Sequence, residues 1–390
     1  MQIRTITAGA REEDVGRAAR AAHEARRRLE EAGYTVQTLR LALSAVGSNR
    51  CADFATVARG AEELALDAGF DYVSIGRVDR DRLPQLPEAL ASTQALFASA
   101  RIAGRDGAAD PYDIRAAAQV MAELGAGTEL GLGNLRFAAL ACVAPGSPFL
   151  PASYHDGGAP WLAVGPEASA LAVAAVAECR AHHETARPQL DDGGAAFLGR
   201  CAPSRLTALI EQHDARIWAA LSGLAESSDV QIAGCDWSLA PHPDPARSIG
   251  AAIEALSGAP FGAWGTLAAV RSLTAAIRAA QVTQLGFSGV MLPVLEDAVL
   301  ARRNAEGLYT VRDLLAFSAV CGTGLDCVPL PGDTAAAALE GVLNEVAALA
   351  GALRKPLTAR LMPLPGLKAG DTTTFAWEYF VNTTVMRLEQ

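Results

Sequence analysis

At 390 residues with 51% apolar side chains, the chain can bury a large core, and its length allows anything from one large α/β domain to three of ordinary size. A net charge of −10 is spread over many predicted helices, and the densest basic run, Arg26-Arg27-Arg28, is followed by Glu30-Glu31, which argues against nucleic-acid binding. No apolar run of about 18 residues and no signal-peptide pattern appear, and the seven cysteines form no CxxC, so a cytoplasmic protein with reduced thiols and no membrane contact is expected.

Ile3 to Thr7 reads as a strand, residues 11–32 as a charged helix ending at Gly33, and Tyr34 to Leu43 as a second strand. A helix over 52–68 stops at Gly69, and Asp71 to Gly76 is a third strand. Helix 84–98 opens on a Pro-rich turn, Ala98 to Ala103 is a strand, and Asp110-Pro111 caps helix 111–124. Leu135 to Val143 is a buried strand, followed by the long irregular loop Pro145 to Pro160 and the short strand Trp161 to Val164. Helix 167–186 leads to the turn Asp191-Asp192-Gly193-Gly194, the best candidate for a domain boundary, which reads instead as a loop. A helix over 203–226, a strand at Val230 to Cys235, and helices near 248–256 and 266–280 come next. An apolar strand enters the stretch Gly286 to Asp333, helix 334–353 follows, and Leu357 to Met362 is the last strand. Strand–helix alternation of this kind predicts a parallel sheet with crossover helices, about ten strands in a single domain over 1–390.

Between Gly286 and Asp333 the unusual residues concentrate: two apolar strands, each passing through a turn of Gly, Pro and hydroxyl residues into acids at a helix start. Gly286, Ser288 and Gly289 would let backbone N–H groups approach a ligand. Glu296 and Asp297 sit in a first turn, which the helix dipole alone would favour, and Asp333 reads as an N-cap. Asp326 interrupts an apolar strand, so it lies at a strand mouth or pairs with a cation. Asp236, Glu296, Asp297, Asp326 and Asp333 together would suit a hard divalent ion, Mg or Ca rather than Zn.

Arg4, Arg136 (beside Asn134) and Arg360 each interrupt an apolar strand, which predicts either an anion-binding interior or structural pairs with those acids. Tyr154 and His155 stand in the long loop, where His155 is the candidate acid, base or ligand. Cys179 and His183 share helical i, i+4 spacing, for which a solvated face is the better account than a metal. Cys321, beside Gly322-Thr323-Gly324, is a candidate reactive thiol. GxSxG, P-loop and dinucleotide fingerprints are lacking, so no nucleotide cofactor is expected.

At Ile3 to Thr7, Arg136 to Leu140, Pro148 to His155, Gly286 to Asp297, Cys321 to Asp333 and Arg360 to Asp371, the chain resembles the uncharacterised prokaryotic family catalogued as domain of unknown function 711, also UPF0210. The resemblance implies a ten-stranded α/β barrel like that of pyruvate formate-lyase and ribonucleotide reductase. In the radical enzymes of that fold a cysteine on an interior loop serves a C-terminal glycyl radical. Here no glycine follows Gly370, so no glycyl radical is expected, and the resemblance does not carry that role to Cys321.

The resulting expectation is a non-radical lyase or hydrolase acting on a small carboxylate-bearing metabolite. Arg4, Asn134, Arg136, Tyr154, Ser288, Gly289 and Arg360 would bind it, and His155, Cys321 and Asp326 would do the chemistry. The rival is a metabolite-sensing protein without turnover, and the Ala-rich helical surfaces suit a homodimer.

Overall fold

The computed structural model describes residues 1–44, 53–186 and 195–388. The turn at 191–194, Cys51 and the expected helix start at Ala52 lie outside the described residues. Five strands come first: β1 (Ile3–Ala10), β2 (Val36–Leu43), β3 (Tyr72–Arg77), β4 (Leu96–Ala103) and β5 (Phe137–Ala141). They lie side by side in chain order, all parallel, with α1 (Val15–Glu31), α2 (Phe54–Asp67), α3 (Leu86–Ala91) and α4 (Pro111–Gly127) between them. Consecutive parallel neighbours joined by crossovers of the usual right hand place every helix on one face. The opposite face then needs another cover, and that requirement shapes the site.

Two antiparallel joints extend the sheet. β6 (Trp161–Pro166) pairs with β1 and carries β7 (Gln231–Cys235) outside it. β9 (Leu357–Leu364) pairs with β5 and carries β8 (Gly324–Pro331). The remaining helices are α5 (Ser169–Ala186), α6 (Ala195–Ala220), α7 (Leu224–Ser228), α8 (Ile249–Ser257), α9 (Thr266–Ala279), α10 (Ala298–Ala305), α11 (Val311–Ser318) and α12 (Ala336–Leu353). α12 is long and apolar enough to cross a membrane by composition, yet it packs on α4, β4, β5 and β9 through Leu339, Leu343, Val346, Ala347 and Ala350.

The mixed α/β class is as expected, but the sheet has nine strands in the order β7-β6-β1-β2-β3-β4-β5-β9-β8 and does not close. The strand expected at Leu285 is missing from the ladder because Gly286 (φ 63°) and Ser288 (φ 38°) turn left-handed and interrupt its pleat. Residues 283–294 instead make scattered backbone bonds to both end strands and their continuations. Cys235 N–H donates to Thr283 O (3.2 Å), Leu285 N–H to Cys235 O (3.1 Å) and Val294 N–H to Asp326 O (3.2 Å).

Three smaller expectations are corrected. Helix 84–98 shortens to Leu86–Ala91 after a short 3-10 turn, because the hydroxyls of Ser92 and Thr93 donate to Ala89 O and end it. Asp333 is exposed and caps nothing, since α12 starts at Ala336 with Ala335 as its N-cap. Cys179 and Cys201 form a disulfide joining α5 to α6, so the thiols are not all reduced and Cys179 is no metal ligand; His183 lies against the Phe197 ring at 4.8 Å.

The face without helices is covered by the loop 144–160. Thr7 Oγ1 donates to Pro148 O and Ser74 Oγ to Ser153 O, both at 2.7 Å, and His155 N–H donates to Leu43 O at 3.1 Å. The loop thus binds β1, β2 and β3, and its Phe149, Ala152 and Tyr154 join Ala138, Leu140, Phe287 and Met291 in a separate apolar cluster. Small strand residues make room: a Cβ at Gly76 would lie 2.9 Å from Tyr154, and one at Gly165 would lie 3.2 Å from Phe149.

Candidate functional site

A cavity of about 850 Å³ opens at the N-terminal ends of β1–β5. Arg4, Thr38, Arg40, Tyr72, Phe97, Arg136 and Ala138 line it from those ends, Glu296, Asp326 and Arg360 from the other side, and Phe149 to Ala152 from the loop. Trp377 and Tyr379, each 40% exposed, stand in the lining as well. The usual ligand position in parallel sheets is the carboxyl end of the strands, so a cavity at the opposite end departs from that rule.

Three strand arginines singled out in the sequence do reach this cavity, with their charges differently occupied. Arg360 Nε donates to Asp326, its NH2 to Glu296 Oε1 (3.1 Å) and its NH1 to Leu135 O (3.4 Å). Burial works against its charge, but Asp326, Cys327 and Glu296 override that and hold its pKa well above the ordinary value. Arg4 donates to Pro241 O and reaches Glu167 (3.4 Å) and Glu296 (3.9 Å). Arg136 donates to Thr93 O (2.9 Å) and Leu90 O (2.7 Å), which fixes a cation over the last carbonyls of α3, where the helix dipole favours it. Burial lowers the Arg136 pKa.

Arg40, in Leu39-Arg40-Leu41 of β2, is the cavity cation that the sequence reading passed over. It obeys the same signal as Arg4, Arg136 and Arg360, a guanidinium interrupting an apolar strand. Its Nε donates to Thr38 Oγ1 (3.0 Å) and its guanidinium lies 5.9 Å from the Tyr72 ring centre. Among the described residues no carboxylate comes within 4.0 Å of it to form an ion pair. Burial, then the like charge of Arg4, pulls its pKa down to about 10.

Asp326 and Glu296 share Arg360. Burial pushes the Asp326 carboxyl up from its ordinary value and Glu296 adds to this, while Arg360 pulls the other way; the net direction is upward. Cys327 Sγ donates to Glu296 Oε1 at 3.1 Å, and its thiol is pushed well up, chiefly by burial.

The other expected site residues lie elsewhere. His155 lines a second, smaller pocket at the C-terminal ends of β3 and β4, with Tyr154, Arg77 and Arg101. Both ring nitrogens of His155 meet its own loop, Nδ1 accepting from Gly157 N–H (3.1 Å) and Nε2 meeting Ala159 O (3.2 Å). Tyr154 donates its hydroxyl to Val143 O (3.0 Å) beneath the Arg77 guanidinium, 4.3 Å from the ring centre. Asn134 is fully buried, with Nδ2 donating to Met121 O (2.9 Å). Cys321 is fully buried in the main core. Its carbonyl, with those of Ser318 and Ala319, accepts from the buried Lys355, whose pKa burial lowers.

Nor do the five acids gather. Among the described residues no three His, Cys, Asp or Glu side chains cluster as a metal site would require. Asp236 is saturated by Ser238 Oγ–H (2.6 Å) and the N–H groups of Ser238 (3.1 Å), Phe287 (2.8 Å) and Ser288 (2.9 Å). Asp297 accepts from Ser248 Oγ–H (2.7 Å) and from the N–H groups of Ile249 (2.8 Å), Val299 (3.0 Å) and Leu300 (3.1 Å), so it serves the starts of both α8 and α10. Burial raises both carboxyls, opposed by those hydrogen bonds. With these two saturated, Glu296 and Asp326 held by arginine, and Asp333 at the surface, the set does not fit a common divalent ion.

Ser288 and Gly289 belong to the turn around Asp236 and not to the cavity lining. Ser288 Oγ donates to Leu285 O (2.9 Å) and accepts from Trp237 N–H (3.2 Å). A Cβ at Gly289 would stand 2.3 Å from the Gly322 Cα, so the glycines let two backbones touch each other, not a ligand.

The family model described as "Uncharacterised ACR (DUF711)" matches residues 1–378, and the chain belongs to that family. It is similar to a UPF0210 protein of Pyrobaculum aerophilum, 30% identical over 315 residues, covering 78% of this chain and 65% of that protein. It is also similar to those of Syntrophobacter fumaroxidans (29% over 363 residues; 88% of this chain, 77% of the relative) and Pyrobaculum islandicum (30% over 364 residues; 87% and 76%). The chain therefore spans about two thirds to three quarters of the length of these relatives.

Proposed function

We propose that the cavity at the N-terminal ends of β1–β5 binds a small carboxylate-bearing metabolite through Arg40 and that the protein is an enzyme moving a proton next to that carboxylate. The observation that carries the reading is Arg40 itself: a guanidinium set in the cavity, beside Arg4, with no carboxylate within ion-pair distance among the described residues. Arg40 is half-buried with no carboxylate at ion-pair distance among the described residues, and a bound carboxylate would complete the charge-assisted contact its terminal N–H groups lack.

Of the three residues expected to do the chemistry, Asp326 is the one in the cavity lining, and in this reading it carries the proton. It stands with Glu296 across Arg360, and burial raises its carboxyl pKa, the direction expected of a group that gives and takes protons. Lyase chemistry at the carbon beside a carboxylate is the best fit for one anchoring guanidinium and a pair of carboxyls. In the same reading, residues 283–294 act as a tenth strand that bridges β7 and β8 into a ring, as in the formate-lyase barrel. The alternative, a metabolite sensor without turnover, draws on the position of His155 and Cys321 outside the cavity and on Arg360 holding both carboxyls.

The test is incubation with 2-oxo and 2-hydroxy carboxylates of both short and longer chain in deuterium oxide, read by mass spectrometry. Deuterium at C2 of a 2-hydroxy acid or at C3 of a 2-oxo acid, lost in Asp326→Asn while ligand still raises the melting temperature, supports the enzyme. Ligand stabilisation with neither exchange nor product in the unaltered protein would leave the sensor reading.

A further inference from the structure

Three features of the cavity narrow what it accepts. Its volume of about 850 Å³ lies in the range of sites that enclose drug-sized ligands, roughly 300–1,000 Å³, and far exceeds the need of a carboxylate with one or two further carbons. Phe97, Phe149, Phe287 and Met291 stand in its wall, and the last three continue into the apolar cluster beneath the loop. Finally, the other guanidiniums are engaged. Both terminal nitrogens of Arg136 donate to carbonyls, Arg360 is divided among Asp326, Glu296 and Leu135 O, and Arg4 among Glu167, Glu296 and Pro241 O. Arg40 alone, among the described residues of the lining, keeps its terminal N–H groups clear of these partners.

Resting on the carboxylate reading above, we infer that the ligand is a monocarboxylate with an extended apolar body, its head on Arg40 and its body against Phe97, Phe149, Phe287 and Met291. A dicarboxylate would bring a second charge to walls with no second open guanidinium, and burying it unpaired is unfavourable. One planar guanidinium matches one planar carboxylate in a two-point contact. Tyr72, against Arg40 on one side and 5.5 Å from the Phe97 ring on the other, joins the polar end to the apolar wall.

Titration calorimetry of the full chain with octanoate, acetate, succinate, octanol and octyl phosphate tests this class. Octanoate should bind at least tenfold more tightly than acetate, succinate or octyl phosphate. Arg40→Gln should weaken octanoate at least tenfold and leave octanol unchanged, with Arg40→Lys restoring part of the loss. Met291→Gln, close to isosteric, should weaken octanoate and leave acetate as it was. Succinate or acetate matching octanoate, with dependence on Arg40 intact, would overturn the apolar-bodied class alone. Octyl phosphate binding more tightly would overturn the carboxylate head. Octanol matching octanoate, with Arg40→Gln silent, would overturn the carboxylate reading itself. Circular dichroism of each variant, matching that of the unaltered protein, separates lost binding from lost fold.

Discussion

The Gly-rich stretch 286–297 and the arginine cavity are neighbours that treat charge in opposite ways. Asp297, in the stretch, and Asp236, just after β7 and hydrogen-bonded to the stretch, are fully buried acids that each accept four hydrogen bonds, so the local chemistry is complete. In the cavity, Arg40 is a cation whose terminal groups have no carboxylate within ion-pair distance among the described residues. Satisfied polar groups hold a fold together, whereas a half-buried guanidinium with open terminal N–H groups is where the proposed carboxylate would dock. Unusual composition marks the first region, and arginines set in apolar strands mark the second.

The comparison breaks most visibly at Asp297. Asp297→Ala leaves buried donors at two helix starts unpaired and should cost on the order of 3–5 kcal/mol, read as a fall in the denaturant midpoint. A variant of unchanged stability would remove the structural account of that acid. Next is Gly289→Ala, whose Cβ meets the Gly322 backbone; a loss of about 2–3 kcal/mol is expected, while the affinity of the folded remainder for a carboxylate stays as it was. If binding fell with little loss of stability, the glycines would belong to the ligand site after all.

Arg40→Gln should have the opposite sign. Because the folded-state pKa of Arg40 is depressed toward 10, its charge is disfavoured in the fold, and a neutral replacement should stabilise the apo protein by about 1 kcal/mol after solvent screening. Thermal denaturation without ligand reads that gain.

The smallest effect concerns pH. Asp236, Asp297 and Asp326 all carry raised folded-state pKa values, so their contribution to stability is fully present below the unfolded value of about 4 and is lost as pH rises through the folded values. Between the two values, acidification should make the unfolding free energy of the unaltered protein hold or rise slightly relative to Asp297→Asn. Urea titrations at a series of pH values upward from the unfolded value of about 4 show whether the two curves diverge in that sense.

Much of the scaffold was legible because periodicity reports burial. β1 to β5, α4 with its Asp110-Pro111 start, and α12 each announce an apolar face or a cap. The missing tenth strand was not legible, since Leu285 to Leu292 has a strand's composition and only the left-handed turns at Gly286 and Ser288 break its ladder. At the site, a strand arginine is a local signal, and Arg4, Arg136 and Arg360 were found by it; Arg40 carried it equally and was overlooked. Glu167, which holds Arg4 and Arg247 from 163 and 80 residues away, has no local signal at all. His155 stands in a different pocket from the arginines, which the sequence does not show because a long loop does not reveal which end of the strands it leaves from.

That loop has one more consequence. Phe149 to Ala152 form the cavity's inner wall, while the same segment is fastened to β1 at Pro148 and to β3 at Ser153. That wall is therefore held to the sheet on both sides, and on the proposed reading it would limit the length of ligand the cavity admits. A larger side chain at Ala152, whose methyl joins that wall, would on that reading shorten the longest ligand accepted and leave Arg40 unaltered.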